Sequence, residues 1–417
     1  MTQPTPEHWN LSQKIIFRFV FIILLLFIFF INNGAYPLMW LIMKYPQELL
    51  QVFIPWLGKN LLGIPYEITT FSNGSGDTTY DYVLLFFITL MALTGTVLWT
   101  LTGRKADNYN KLFYWLTVAV RFYVGFMLIN YGAVKVIQLQ FPSPGLYRLT
   151  QAYGDSSPMG LAWTFLGFSK GYNLFMGVAE LMAGLLLFRR TVTIGAILTL
   201  MVSANIMAVN YFYDIPVKIV STALVLMSLF LLAPNFKPLI KLFFAGEAVQ
   251  LKTLAAPPIK SEWLQTTLYS LKYLCIFFVC AGLIWSVFSQ RAKYGDKAPK
   301  SPLYGAYRVD KVSGAAHSDP KKWKILMMDG LNYSAIKFID DGVEHCDVKT
   351  DTIAKSISLG YNMDANNRQK FNYTVIDPDH LVLKGMPGDS VVVELTRIKF
   401  PLTDRGFNWI TEKPFNK

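Results

Sequence analysis

Seven stretches of roughly twenty mostly apolar residues mark the first 290 positions: Ile15–Ile31, Tyr82–Leu101, Phe113–Lys135, Tyr172–Phe188, Val192–Phe212, Val217–Ala233 and Leu268–Phe288. A helix needs about 20 such residues to cross a bilayer, and within lipid a helix is one of the few ways to satisfy every backbone polar group. The pattern predicts a transmembrane bundle of about seven spans. Composition agrees: 53% of residues are hydrophobic and 16% charged, against about 25% charged in soluble proteins. The first run is not followed by a small-residue cleavage site, so it reads as a retained helix. Residues 36–62 are apolar but interrupted by lysines and tryptophans, which predicts an interfacial helix.

Charge divides the chain near Gln290. Residues 1–290 carry 19 Lys/Arg and 11 Asp/Glu, while the shorter stretch 291–417 carries 20 and 16. A membrane part followed by a soluble domain is expected. The net charge of +12 does not call for nucleic acid, because much of it lies in short loops beside apolar runs, where Lys and Arg set orientation. "GRKADNYNK", Arg189–Arg190 and "NFKPLIK" with Lys252 and Lys260 fall on one side if the spans alternate. By the positive-inside rule that side is cytoplasmic, which puts the N-terminus inside and residue 290 outside. The expected location is a bacterial inner membrane, with the C-terminal domain periplasmic.

Few charged side chains interrupt the spans, and several fall at comparable depth. Tyr131 and Lys135 are i and i+4 on the third span, hence on one face. Glu180 lies about nine residues inside the fourth, roughly 13 Å deep. Gly177 and Gly184 flank it, and small residues there admit a second helix. Lys135, or Arg121 deeper in the third span, is its natural cation. Asn205 is expected near the same depth, with Asn210, Asp214 and Lys218 above it in "NYFYDIPVK". Asp214 and Pro216 suit the start of the sixth helix, while Asp77, Thr78 or Thr79, after Gly74 and Gly76, suit the start of the second. A carboxylate at mid-membrane is costly, so it is paired, faces a cavity, or carries a proton. Two readings stay open: a pair that sets helix register, or a small-ligand pocket in the outer half of the bundle with Glu180 as proton acceptor, the catalytic candidate. In the second, Tyr131, Lys135, Asn205, Asn210, Asp214 and Lys218 bind the ligand.

"YGAVKVIQLQF" (131–141), "GVAELMAGLLLFRR" (177–190) and "NYFYDIPVKIVSTALVLMSLFLLAP" (210–234) resemble the DoxX family of bacterial membrane proteins. They correspond to that family's four-helix core, here residues 113–234. "GSGDTTYDYV" and "RGFNWITEKPFN" resemble a longer subgroup with flanking helices and a C-terminal domain. The resemblance implies a quinone- or redox-associated setting, with quinone the cofactor to consider, and it carries over no catalytic residue set. It divides the chain into N-terminal helices with the interfacial segment (1–112), the core (113–234), a cytoplasmic loop with the last span (235–290), and the outer domain (291–417).

Past the linker "QRAKYGDKAPKSP" the apolar runs shorten and alternate, from "LYGAYRVDKV" to "SVVVELTRI", separated by Gly, Asp, Asn and Pro. That is the pattern of seven or eight antiparallel strands, a small lipocalin-like barrel or sandwich. Trp323, Phe338, Tyr373 and Leu383 are expected in its core. His345, Cys346 and Asp347 are neighbours on a strand and so point to opposite faces, which makes them poor metal ligands. His317 and His380 stand alone. No CxxC, HExxH, P-loop or GxGxxG after a strand occurs, so thiol exchange or covalent haem within this chain is not expected. Arg405, Trp409 and Phe415 are candidates to pack the tail onto the barrel or the membrane. The competing function is an accessory or scaffold subunit whose β-domain docks an envelope partner, the polar cluster only holding helices together.

Overall fold

The computed structural model describes residues 8–70, 76–103, 106–259, 261–294, 297–314, 320–330, 334–361, 368–386 and 390–416. Gly74, Arg104, Lys105, Lys260 and His317 lie outside them. The α-helices ahead of the barrel strands are, in order, α1 (Leu11–Phe30), α2 (Met39–Asn60), α3 (Thr79–Thr102), α4 (Asn110–Val136), α5 (Leu146–Thr150), α6 (Pro158–Phe168), α7 (Lys170–Leu181), α8 (Val192–Phe212), α9 (Lys218–Leu232), α10 (Phe236–Phe244) and α11 (Glu262–Tyr294). Two compact units result. One joins residues up to Phe141 with Ser169–Ser289, and the other joins Pro142–Phe168 with Gln290–Lys417.

Among the described residues six helical segments are long and apolar enough to cross a membrane: α1, α3, α4, α8, α9 continued through Phe244, and α11. The expected fourth span, Tyr172–Phe188, differs. It is a 12-residue α-helix, α7, that tightens into a 3-10 helix over Met182–Leu187. At 1.5 and 2.0 Å per residue the two pieces rise about 30 Å, about the thickness of the hydrocarbon. Gly125 of α4 packs against this 3-10 segment so closely that a Cβ there would meet Leu187 at 3.0 Å. The 36–62 stretch forms α2, which contains Pro46 and Pro55 and is not among the six.

Capping explains where several helices start. Asn10 and Gln13 form a reciprocal capping box on α1, and Thr78 with Asp81 does the same on α3. Each pair satisfies two otherwise orphaned donors. The helical core gathers α1, α4, α8, α9 and the 3-10 turn around Tyr123, Met127, Leu186 and Met227.

The second unit holds a closed antiparallel barrel of eight strands in sequence order: β1 (Lys300–Ser313), β2 (Trp323–Gly330), β3 (Ser334–Phe338), β4 (Val343–Asp351), β5 (Ser356–Tyr361), β6 (Arg368–Asp377), β7 (His380–Gly385) and β8 (Val392–Arg397). Pairing of β1 with β8 closes it, leaving no open edge. Inward residues alternate as a strand requires: Leu326 and Met328, Cys346 and Val348, Ile357 and Leu359, Phe371 and Tyr373, Leu381 and Leu383, Val393 and Leu395 form one buried cluster with Trp323. Phe338 packs at its margin. The interior is filled by side chains, as a barrel of this strand number can be.

Residues 142–168 lie inside the stretch expected as the four-helix core, yet they belong to the barrel unit. The reason is a patch on the barrel's outer face. Leu146 of α5 buries against Ala306, Met327 and Ala335, which point outward from β1, β2 and β3. His345 lies 6.1 Å from the Tyr147 ring on the same side, Asp347 pairs with Arg368 at 2.6 Å, and Cys346 points into the core. In the tail Phe407 and Trp409 are exposed and so not packed onto the barrel, with Arg405 over the Phe415 ring.

Candidate functional site

The α4–α7 crossing is built on two glycines. A Cβ on Gly132 would stand 2.7 Å from the Gly177 carbonyl oxygen, and one on Gly177 would meet the Gly132 oxygen at 2.7 Å. Only backbones without side chains approach this closely. Lys135 follows Gly132 by three residues and Glu180 follows Gly177 by three, so helical geometry brings both to the same crossing. Lys135 Nζ lies 2.6 Å from Glu180 Oε1 and donates to Oε2 at 2.7 Å. Both residues are buried, 5% and 3% exposed. The ammonium also sits 5.6 Å from the ring centroids of Tyr131 and Phe141, in reach of a cation–π attraction. Asn33, in the α1–α2 loop, donates Nδ2 to the Tyr131 hydroxyl at 3.1 Å.

Lys135 is thus the partner of Glu180, and Arg121 is not. Fourteen residues separate the two cations on α4, about 21 Å of helix. Gly184, the other expected small neighbour, faces Ile129 of α4 at ordinary contact distance.

The remaining expected residues form a different group or none. Asn205 is exposed on α8 and stands outside the crossing. Asn210 is buried at the end of α8, where its Nδ2 donates to the Val217 carbonyl at 3.3 Å and its own carbonyl accepts from Ile215. Its role is to fold the turn. Asp214 adopts φ +51° and is exposed; it pairs with Lys218 Nζ at 3.1 Å on the surface. Neither Asp214 nor Asn210 nor Lys218 bonds Tyr131, Lys135 or Glu180.

Asp214 does not cap α9 either. Asp77, ahead of α3, does so: its Oδ2 accepts from the Lys218 amide at 2.5 Å and its Oδ1 from the Ile219 amide at 3.0 Å. The Gly76 amide donates to the Pro216 carbonyl at 2.8 Å, completing the clasp. The turn bends Asp214 away, whereas Asp77 reaches both orphan donors with one carboxylate. Sequence reasoning missed Asp77 as this cap, and it missed Asn33 and Gly132. "INNGAY" carries a turn signal for Asn33, and a small residue three before Lys135 mirrors the one before Glu180.

Fold and crossing together define a class: a multi-pass helical membrane protein carrying a C-terminal, side-chain-filled eight-stranded β-barrel domain. The chain belongs to the family of the uncharacterized protein YwoB of Bacillus subtilis (strain 168), to which it is 37% identical over 115 residues, 27% of this chain and 71% of that protein. No family model and no solved structure matches the chain.

Proposed function

We infer that this protein is a non-catalytic membrane scaffold, its helical unit anchoring a barrel that docks an envelope partner. One observation carries the reading. Both carboxylate oxygens of Glu180 are engaged by Lys135 inside a glycine-lined crossing, an arrangement that sets register between two helices. The filled barrel interior supports it, since a packed core leaves no cup for a ligand and directs recognition to the outer surface. Ile353, in the β4–β5 turn, is 94% exposed, and Ile376, at the β6–β7 turn, is 66% exposed. A meander places both turns at one end of the barrel, where their exposed aliphatic side chains offer a contact surface.

The DoxX resemblance belongs to the same reading: α4, α7, α8 and α9, which carry its motifs, pack on one another. So does the topology. With the α7–3-10 pair as a crossing there are seven, the basic loops face the cytoplasm and the barrel stands in the periplasm of a bacterial inner membrane. A reporter active only outside the cytoplasm, fused after Gln290, checks this; an inactive fusion refutes it. Photo-crosslinkers at positions 353 and 376 in cells are expected to capture a specific envelope protein, and capture equal to that from a control position such as 370 would sink the docking role.

A second reading, quinone- or redox-associated with Glu180 accepting a proton, rests on the aromatic collar of Tyr131 and Phe141 around the buried pair. It requires quinone to co-purify with the parent protein and to be lost from a folded Glu180→Gln variant.

A further inference from the structure

At the basic end of the helical unit, Arg18 and Arg121 are both buried arginines, at 2% and 6% exposure, but they differ in company. Arg18 is satisfied: its guanidinium donates to the Tyr109 hydroxyl, Thr100 Oγ1 and the Gly103 carbonyl at 2.7–3.1 Å. Arg121 has no such partner among the described residues. Its Nε is buried without a hydrogen bond, and its guanidinium carbon lies 5.4 Å from the Phe122 ring centroid. A buried guanidinium nitrogen left without an acceptor is unfavourable, so the site asks for an anion.

Arg121 lines a small cavity whose other cations are Arg189, Arg190 and Lys252; among the described residues no Asp or Glu lines it. The cavity is a constructed feature. Buried Asn235 donates Nδ2 to Thr193 Oγ1 at 2.9 Å and to the Lys252 carbonyl at 3.0 Å, and its Oδ1 accepts from the Lys252 amide at 2.7 Å. That clamp holds the Lys252 strand of chain against the first turn of α8. Helix α8 opens at the same place with no side chain capping it, so its N-terminal amides and dipole add positive potential. The space, about 30 Å³, takes a couple of water-sized groups. It fits the oxygen end of a small anion, not a ring system.

We propose that this cavity binds a phosphate group, Arg121 at its floor and Arg189, Arg190 and Lys252 at its rim. The planar donor fork of arginine matches phosphate oxygens. Two sources share this chemistry: the headgroup of an anionic phospholipid, and free phosphate. Helix α10 favours the headgroup. It begins directly after Asn235 and exposes Phe236, Ile240, Phe243 and Phe244 along one side, with Lys237 and Lys241 on another, the pattern of a helix lying in the bilayer interface. The site is independent of the Lys135–Glu180 crossing and of the docking role.

The test uses the full-length protein in neutral detergent at fixed ionic strength. Thermal midpoints are read against added phosphatidylglycerol, phosphatidylcholine, inorganic phosphate and matched chloride. Phosphatidylglycerol is expected to raise the midpoint by several degrees where phosphatidylcholine does not, and R121Q is expected to abolish the rise. The exposed-rim variant R189Q/R190Q/K252Q leaves the buried floor intact, so it folds even if R121Q does not; a tenfold or greater loss of affinity is expected from it. A rise with inorganic phosphate and none with phosphatidylglycerol supports the site and assigns it to the free ion. No rise with either, or a rise undiminished in the rim variant, overturns the proposal.

Discussion

Removing one end of the Lys135–Glu180 pair strands the other charge inside a closed crossing, which typically costs about 3–5 kcal/mol. Glu180→Gln is therefore expected to lower the melting temperature of the detergent-solubilised protein by many degrees. Lys135→Met combined with Glu180→Leu is expected to recover most of that loss, because well-packed apolar replacements of buried pairs are often neutral. A Glu180→Gln protein that melts with the parent removes the register role. Cys346 offers a pH test in the barrel. Burial, helped by the nearby Glu344 and Asp347 carboxylates, pushes its thiol up to about 12 from 9.0. The folded barrel keeps this proton while the unfolded chain gives it up, so stability is full below about pH 9 and falls as pH rises toward about 12. The slope is about 1.4 kcal/mol per pH unit from this group. Comparing alkaline unfolding of the parent with Cys346→Val isolates that share; identical pH profiles would contradict it. In line with this, iodoacetamide at pH 8 should leave Cys346 unmodified until the barrel unfolds. The pair was legible in the sequence from glycine spacing and i, i+4 placement. The choice of Lys135 over Arg121 as partner was not, because it turns on where two helices cross.

Among the helices, contact depends on backbone approach at α4–α7 and on a clasp at α9. Replacing Gly177 by Val forces side-chain atoms into the Gly132 carbonyl, already 2.7 Å from where a Cβ would stand. Overpacking of this kind costs about 1–3 kcal/mol and also pulls Lys135 from Glu180, so the melting temperature should drop further in the parent than in the Lys135→Met/Glu180→Leu background. Asp77→Ala removes the acceptor for two first-turn amides of α9. A lost cap costs about 0.5–2 kcal/mol, and hydrogen exchange at Lys218 and Ile219 should accelerate; unchanged exchange there would show that the cap is idle. Local capping rules favoured Asp214, four residues before the Lys218 amide. They cannot see Asp77, which lies 141 residues away in sequence. The break of the fourth span into α7 and a 3-10 turn was equally hidden, since its apolar run is continuous.

For the molecule as a whole, the barrel's stability rests on its filled interior. Phe371→Ala, at a site with no exposed surface, should cost about 3–5 kcal/mol, read as loss of cooperative unfolding of the barrel at lower temperature. The sequence alone determined the division into a helical membrane part and an all-β domain, because runs of about twenty apolar residues and short alternating runs demand different backbone hydrogen bonding. Tertiary structure decided which polar groups meet. It joined Lys135 to Glu180, left Asn205 outside, turned Asp214 to the surface, sent α5 to the barrel, and buried Arg121 beside three other cations. Periodicity tells which face of an element is apolar, but distances between elements follow from how closely backbones pack, and that is settled only when the whole chain has folded.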